Sequence, residues 1–215
     1  FALPIGLGFL WGRPLGALFW GVFLRITLVH HFTYFINSLC HYVGKKPYDH
    51  KSTSRDTWYI SFLTFGEGFH NYHHKFQWDY RNGIRWFHFD PSKWSIWLLS
   101  RIGLAKDLKK ADKFQIMKTK ALDSWNQVHE TLDSLPDQVK RSYQEKLSDI
   151  KIKLQNLEDS RQIAEKGVKV YFSDKKEMLL SKKLFRKQRK LQNFEYQAIM
   201  KTLSIMLFAI QTGQY

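Results

Sequence analysis

The stretch "LGALFWGVFLRITLVHHFTYFI", Leu15 to Ile36, carries Arg25 as its only formal charge. A membrane-crossing helix needs roughly 20 consecutive, mostly apolar residues, and this run is long enough. Inside lipid every backbone N–H and C=O must be satisfied within the segment, so the run reads as a helix. Tryptophans near its start suit the membrane interface. Arg25 is tolerable if it faces a bundle or snorkels. The preceding "FALPIGLGFLWG", Phe1 to Gly12, is about half a span and is broken by Arg13 and Pro14. It reads as the end of one membrane helix whose start lies outside the sequence, and the absence of an initial Met suggests a fragment. Lys45 and Lys46 follow closely, which points the C-terminal end of the complete span to the cytosol by the positive-inside rule.

Outward from that run, the two halves of the 215-residue chain differ. Up to Leu104 it is aromatic and punctuated by glycine, with 11 basic and 5 acidic residues. From Ala105 there are 23 basic and 14 acidic residues. A formal net charge of +15 favours anionic partners such as lipid head groups or phosphate-bearing substrates. Nucleic acid is not expected, because no zinc-finger, RRM-like or bZIP pattern is present. The single Cys40 excludes an internal disulfide and any Cys-rich zinc module.

Beyond the span, "GKKPYDHKSTSRDT" reads as a turn-rich loop in which Ser54 or Asp56 could cap a helix carrying "WYISFLTFGEGFHNYHHKF". "DPSKWSIWLLSRIGL" reads as a further helix capped by Asp90 or Ser92, with Pro91 in its first turn. Trp94, Trp97, Leu98 and Ile102 have helical spacing and suggest a face lying on a membrane or packed on a neighbour. From Lys106 the pattern is long charged helix. Pro136 starts a new helix, Asp174 and Glu177 resemble a capping box, and Ile150, Leu154, Leu157 and Ala164 give partial heptad character. "IMKTLSIMLFAIQ" is too short to span and reads as a surface or packing helix.

Within "GEGFHNYHHKFQWDY", residues 66–80, three histidines fall in five positions. On a helix His70, His73 and His74 project within about 100° of arc; Asn37 and His41 share a face in the same way at i and i+4. Neutral imidazole suits iron, zinc or copper, and three clustered rings are a poor choice for a core because each has two nitrogens to satisfy. Glu67 precedes the histidines, unlike the glutamate of HExxH zinc proteases; it is placed either to orient a ligating imidazole or as a plain surface carboxylate. His30 and His31 lie inside the span as polar residues facing a bundle. His50, His88 and His129 stand alone, as surface histidines do.

"NSLCHYVGKKPYD", residues 37–49, followed by "GEGFHNYHHKFQWDYR", residues 66–81, resembles the third-histidine-box region of membrane acyl-CoA desaturases of the stearoyl-CoA (delta-9) type. The likeness runs over about residues 1–120, with "FLR" at 23–25, "RW" at 85–86 and "GLAKDLKK" at 103–110. It implies an all-α membrane helical bundle with a cytosolic helical cap, here incomplete, and leaves residues 121–215 as a basic helical extension of unknown role. It further implies two iron ions, with His70, His73 and His74 as third-box ligands, His41 as the separate histidine ligand, and Asn37 holding iron through water. Thr33 would sit beside the bend of the acyl tunnel, where Tyr34 replaces the usual Trp. Lys46 stands where Arg is usual, which keeps the charge but loses the planar fork.

The implied reaction is O2-dependent insertion of a cis double bond into a fatty acyl-CoA. It needs two electrons from a cytochrome b5 or ferredoxin type of donor, in the endoplasmic reticulum or a bacterial inner membrane. The resemblance also implies HxxxxH and HxxHH boxes ahead of this region, and neither occurs before residue 66 of the sequence. Three other readings stay open: a histidine-box lipid hydroxylase, a non-catalytic membrane-anchored remnant whose tail binds partners or anionic lipid, and a single-metal hydrolase.

Overall fold

The computed structural model describes residues 1–169 and 175–213, with side chains except those of 164–169 and 175–182. The described residues form helices and turns, with no strand; two isolated antiparallel bridges, Lys45–Asp56 and Asp56–Phe69, tie loops together. The all-α expectation holds. The chain divides into two compact units, Phe1–Lys110 and Ala111–Tyr215.

In the first unit, α1 (Ala2–Leu10) ends in a turn at Gly12, whose φ of 65° suits glycine. Pro14 then opens α2 (Pro14–Leu18), where its missing N–H costs nothing. A π-helical segment, Phe19–Leu24, leads into α3 (Arg25–Asn37), and α4 (Leu39–Tyr42) follows a break at Ser38. Pro14–Tyr42 is long and apolar enough to cross a membrane, with little of it buried. α1 folds back antiparallel on this helix through two glycines. A Cβ on Gly8 would lie 2.4 Å from Ala17 Cβ, and one on Gly21 would lie 3.0 Å from Pro4 Cβ. Phe19, Trp20 and Phe23 point outward, as lipid-facing side chains do.

The expected helix through "WYISFLTFGEGFHNYHHKF" does not form as one piece. A 3-10 turn at Ile60–Phe62 is followed by a reversal at Phe65 (φ 53°) and Gly66 (φ 106°), and only α5 (His70–Lys75) is α-helical. The glycines explain this. A Cβ on Gly66 would lie 2.7 Å from Asp90 Oδ1, and one on Gly68 would lie 2.5 Å from the backbone N of Ser61, so both serve close backbone approach rather than helix. Ser54 and Asp56 cap no helix beside them. Asp56 instead accepts from Tyr72 N (3.0 Å) in the first turn of α5, satisfying from a distance one donor that the helix leaves open.

α6 (Pro91–Arg101) is capped by Asp90, which accepts from Lys93 N at 2.9 Å. The same buried carboxylate accepts from Asn82 N (2.8 Å) and Gly83 N (2.9 Å). Lys93 Nζ donates to Gly83 O (2.8 Å), Arg85 O (3.0 Å) and His88 O (3.1 Å), so this buried cation pins the segment that leads into α6. Trp94, Trp97, Leu98 and Ile102 are exposed rather than packed on a neighbouring helix.

The second unit comprises α7 (Lys113–Asp133), α8 (Asp137–Lys169) and α9 (Lys175–Gln211). Asp112 and Gln115 form a reciprocal capping box at the start of α7. Residue 120 falls inside α7. Tyr143, Leu147, Ile150, Leu154 and Leu157 on α8, and Tyr196, Ile199, Leu203, Met206 and Ile210 on α9, alternate in steps of three and four and form one core with α7. "IMKTLSIMLFAIQ" is therefore a packing helix. Ala164 and the capping-box pair Asp174 and Glu177 lie outside the described side chains.

Candidate metal centre

α4 and α5 are short, and each presents histidine toward the other. His41 lies on α4, and His70 and His74 lie one turn apart on α5. His70 Nε2 is 3.1 Å from His41 Nε2 and 3.1 Å from His74 Nε2. One nitrogen from each of the three rings lies within 4.8 Å of the others. Imidazole binds such metals at ~2.0–2.1 Å, so two ligands 90–109° apart around an ion have nitrogens ~2.9–3.4 Å from each other. Both spacings to His70 Nε2 fall in that range.

His73 lies outside this three-nitrogen group, although the three α5 rings keep within the expected arc of about 100°. At 100° per residue His74 is rotated to one side of His70 and His73 to the other. His41 approaches on the His74 side; the His73 ring lies 6.2 Å from that of His70 and 6.1 Å from that of His74. The face expected to carry Asn37 and His41 is interrupted at Ser38, whose hydroxyl donates to Tyr34 O (2.8 Å) and competes with the helix. Asn37 is exposed. Thr33 turns its hydroxyl to Val29 O (2.8 Å), and Tyr34 is exposed beside His30. Glu67 accepts from Asn82 Nδ2 (2.6 Å), and no hydrogen bond from a histidine to it is present among the described residues.

The group that orients an imidazole is instead Thr53, whose Oγ1 lies 2.8 Å from His41 Nδ1. With His41 Nε2 reserved for a metal, Nδ1 carries the proton and Thr53 accepts it. Thr53 is held by its loop, and the loop is held by Asn71. The fully buried Asn71 Oδ1 accepts from Tyr48 N (2.9 Å) and Asp49 N (3.3 Å), while its Nδ2 donates to Asp49 O (3.1 Å) and Ser54 O (3.0 Å). Because Asn71 sits next to His70, one α5 residue belongs to the histidine cluster and the next clamps the loop that holds Thr53 against His41. Nothing in the spacing of "KSTSRDT" marked Thr53. A carboxamide between two histidines was the only signal for Asn71.

Electrostatics favour neutral rings. Burial, then the neighbouring His74, His41 and His73, lowers the pKa of His70 to about 4. Burial, then His73 and His41, lowers that of His74. Unprotonated imidazole is the form that ligates metal. His70 Nδ1 is buried without a hydrogen-bond partner, and its Nε2 faces two other nitrogens. That convergence of ring nitrogens on the buried His70 Nε2 needs an explanation, and a cation bound by the three Nε2 atoms would supply one. The residues present fit a metal ion.

No protein-family model matches the chain. Among curated proteins, the chain is 47% identical over 103 residues to acyl-CoA desaturase 1 of Saccharomyces cerevisiae, covering 48% of this chain and 20% of that protein. It is 41% identical over 124 residues to the probable acyl-CoA desaturase of Schizosaccharomyces pombe, covering 55% and 26%. It is 43% identical over 108 residues to the sn-1 stearoyl-lipid 9-desaturase of a Synechocystis strain, covering 50% and 33%. About half of this chain is thus related to desaturases, and the chain spans only about a fifth to a third of their length.

Proposed function

We propose that the first unit contributes to a fatty acyl desaturase, acting on an acyl-CoA or acyl lipid and introducing a cis double bond at a histidine-ligated iron centre in a membrane. The observation that carries this reading is the convergence of His41 and His74 on His70 at 3.1 Å, held from behind by Thr53 and Asn71. The names of the relatives supply the substrate class. When bound, iron would supply the oxidation of an unactivated methylene by O2, with two electrons drawn from a donor protein.

The chain's own residues prepare that centre. His41, His70 and His74 present ring nitrogens to one ion. His73, turned to the other side of α5, is the ligand left for a second iron, with Asn37 contributing through water. Thr33 and Tyr34 line the acyl tunnel in this reading, and Pro14–Tyr42 crosses the membrane with the histidines on its cytosolic side. Two irons need more ligands than these residues provide. We therefore expect the 215 residues alone to load a single ion, and desaturation to require the HxxxxH and HxxHH boxes of the resemblance.

The test has two arms. Purified from membranes, the chain should carry about one iron by elemental analysis, and His70→Ala or His74→Ala should abolish that loading. Wild-type iron content in either variant would refute the ligand set. Joined to a segment bearing both upstream boxes, the chain should convert stearoyl-CoA to a monounsaturated product by gas chromatography. A hydroxylated product would favour the hydroxylase reading instead.

A further inference from the structure

The second unit has a surface that its own core leaves unused. On α9 the buried residues Gln192, Tyr196, Ile199, Leu203, Met206 and Ile210 occupy one side. The opposite side should be polar in a helix that merely completes a bundle. It is not: Leu184, Leu191, Phe194, Ile205 and Phe208 are all exposed, the two phenylalanines by 70% and 62%. At 100° per residue these five fall on a single face turned away from the core. Exposed Lys183, Lys187, Lys190 and Lys201 project from the same face, interleaved with the apolar side chains. The only acidic residue among the described side chains of α9, Glu195, lies toward the α8 side of the helix, where it borders the groove between α8 and α9.

We infer that this face of α9 is a docking surface for an anionic lipid bilayer, on which the helix lies flat. Three features favour lipid over a protein partner. The charge on the face has one sign, complementary to acidic head groups. Lysines placed between large apolar residues can extend their ammonium groups to the head-group level while phenylalanine, leucine and isoleucine enter the acyl boundary. A paired helix would instead need acidic residues to match those lysines, and a second copy of this face would bring like charges together. The chain also carries a candidate membrane span in its first unit, and that covalent link raises the effective concentration of α9 at a bilayer. The inference does not depend on the desaturase reading.

Hydroxyl-radical footprinting of the full chain reads the face directly, because Phe194 and Phe208 are both reactive and exposed. The chain is reconstituted in vesicles of phosphatidylcholine alone and in vesicles with 30% phosphatidylglycerol. Modification of both phenylalanines should fall several-fold in the anionic vesicles only, and 0.5 M NaCl should restore most of it. The triple variant Lys187→Gln, Lys190→Gln, Lys201→Gln should lower the docking equilibrium constant roughly 100-fold and abolish protection at unchanged helical circular dichroism. Phe208→Ser, with all charges kept, should weaken protection at Phe194. Equal modification in the two lipids would overturn the inference. So would protection in neutral lipid that rises with protein-to-lipid ratio, which would assign the face to a second copy.

Discussion

Asn71 offers a sharp test of how the site is built, because it touches neither metal nor substrate in this reading. Its carboxamide makes four hydrogen bonds to the loop backbone at Tyr48, Asp49 and Ser54 and a longer one, 3.4 Å, to Ser54 Oγ, and it is fully buried. Asn71→Leu conserves volume but removes them all. At about 1 kcal/mol net for each bond, and more wherever a buried backbone group is left unpaired, the first unit should lose about 4 kcal/mol. Asn71→Asp should cost at least as much at neutral pH, since its buried carboxylate can still accept from Tyr48 N and Asp49 N but would face the carbonyls of Asp49 and Ser54 with no proton to donate. The loop also carries Thr53, so releasing it should free His41 to rotate and weaken metal binding at least ~10-fold. Urea titration in detergent, followed by tryptophan fluorescence, reads the first effect; Co2+ titration, followed by its visible absorption, reads the second. If Asn71→Leu kept wild-type Co2+ affinity while losing the expected stability, the link from Asn71 through Thr53 to His41 would be wrong. If it lost neither, the loop clamp itself would be refuted.

Thr53→Val keeps shape and removes only the acceptor on His41 Nδ1, so metal affinity should fall ~10–100-fold with little change in the urea midpoint; unchanged affinity would remove Thr53 from the site. His70 titrates at about 4 when folded, below its ordinary 6.5. Between those values the unfolded chain binds a proton that the folded chain refuses. Stability of the metal-free chain should therefore be intact above pH 6.5 and decline as pH falls toward 4, by at most about 3 kcal/mol from this group. His70→Gln should flatten that slope, and an unchanged slope would refute the assignment. Gly66→Ala places a Cβ against Asp90 at a φ of 106° and should cost more than about 2 kcal/mol. A wild-type urea midpoint would mean that the reversal at Phe65–Gly66 is not as described.

What could be read from the sequence follows from how far each signal reaches along the chain. Periodicities are local, so the apolar helix around Leu15–Ile36, the Asp90 cap of α6 and the apolar spacing of Ile150, Leu154 and Leu157 on α8 were all legible. The histidine cluster was legible in composition but not in geometry. The sequence places His70, His73 and His74 in one short window, yet which two converge depends on the side from which His41 approaches. That direction is set by the break at Ser38, which is local, and by a loop bridged at Lys45–Asp56 and Asp56–Phe69, which depends on contacts more distant in sequence.

The misread helix has the same origin. "WYISFLTFGEGF" has helical hydrophobic content, but Gly66 gives way to Asp90, a contact that no window of a dozen residues contains, and Gly68 gives way to Ser61 across the reversal between them. The roles of Asp56, Asn71 and Thr53 likewise depend on partners from 12 to 23 positions away. Chemistry-bearing residues were thus visible one by one, while the polar residues that aim them were not. A histidine announces itself by type, whereas a threonine that orients it is known only by its neighbour in space. For the same reason the exposed face of α9 was invisible in the sequence. Its apolar and basic residues read as generic amphipathic helix until the core was seen to use the opposite side.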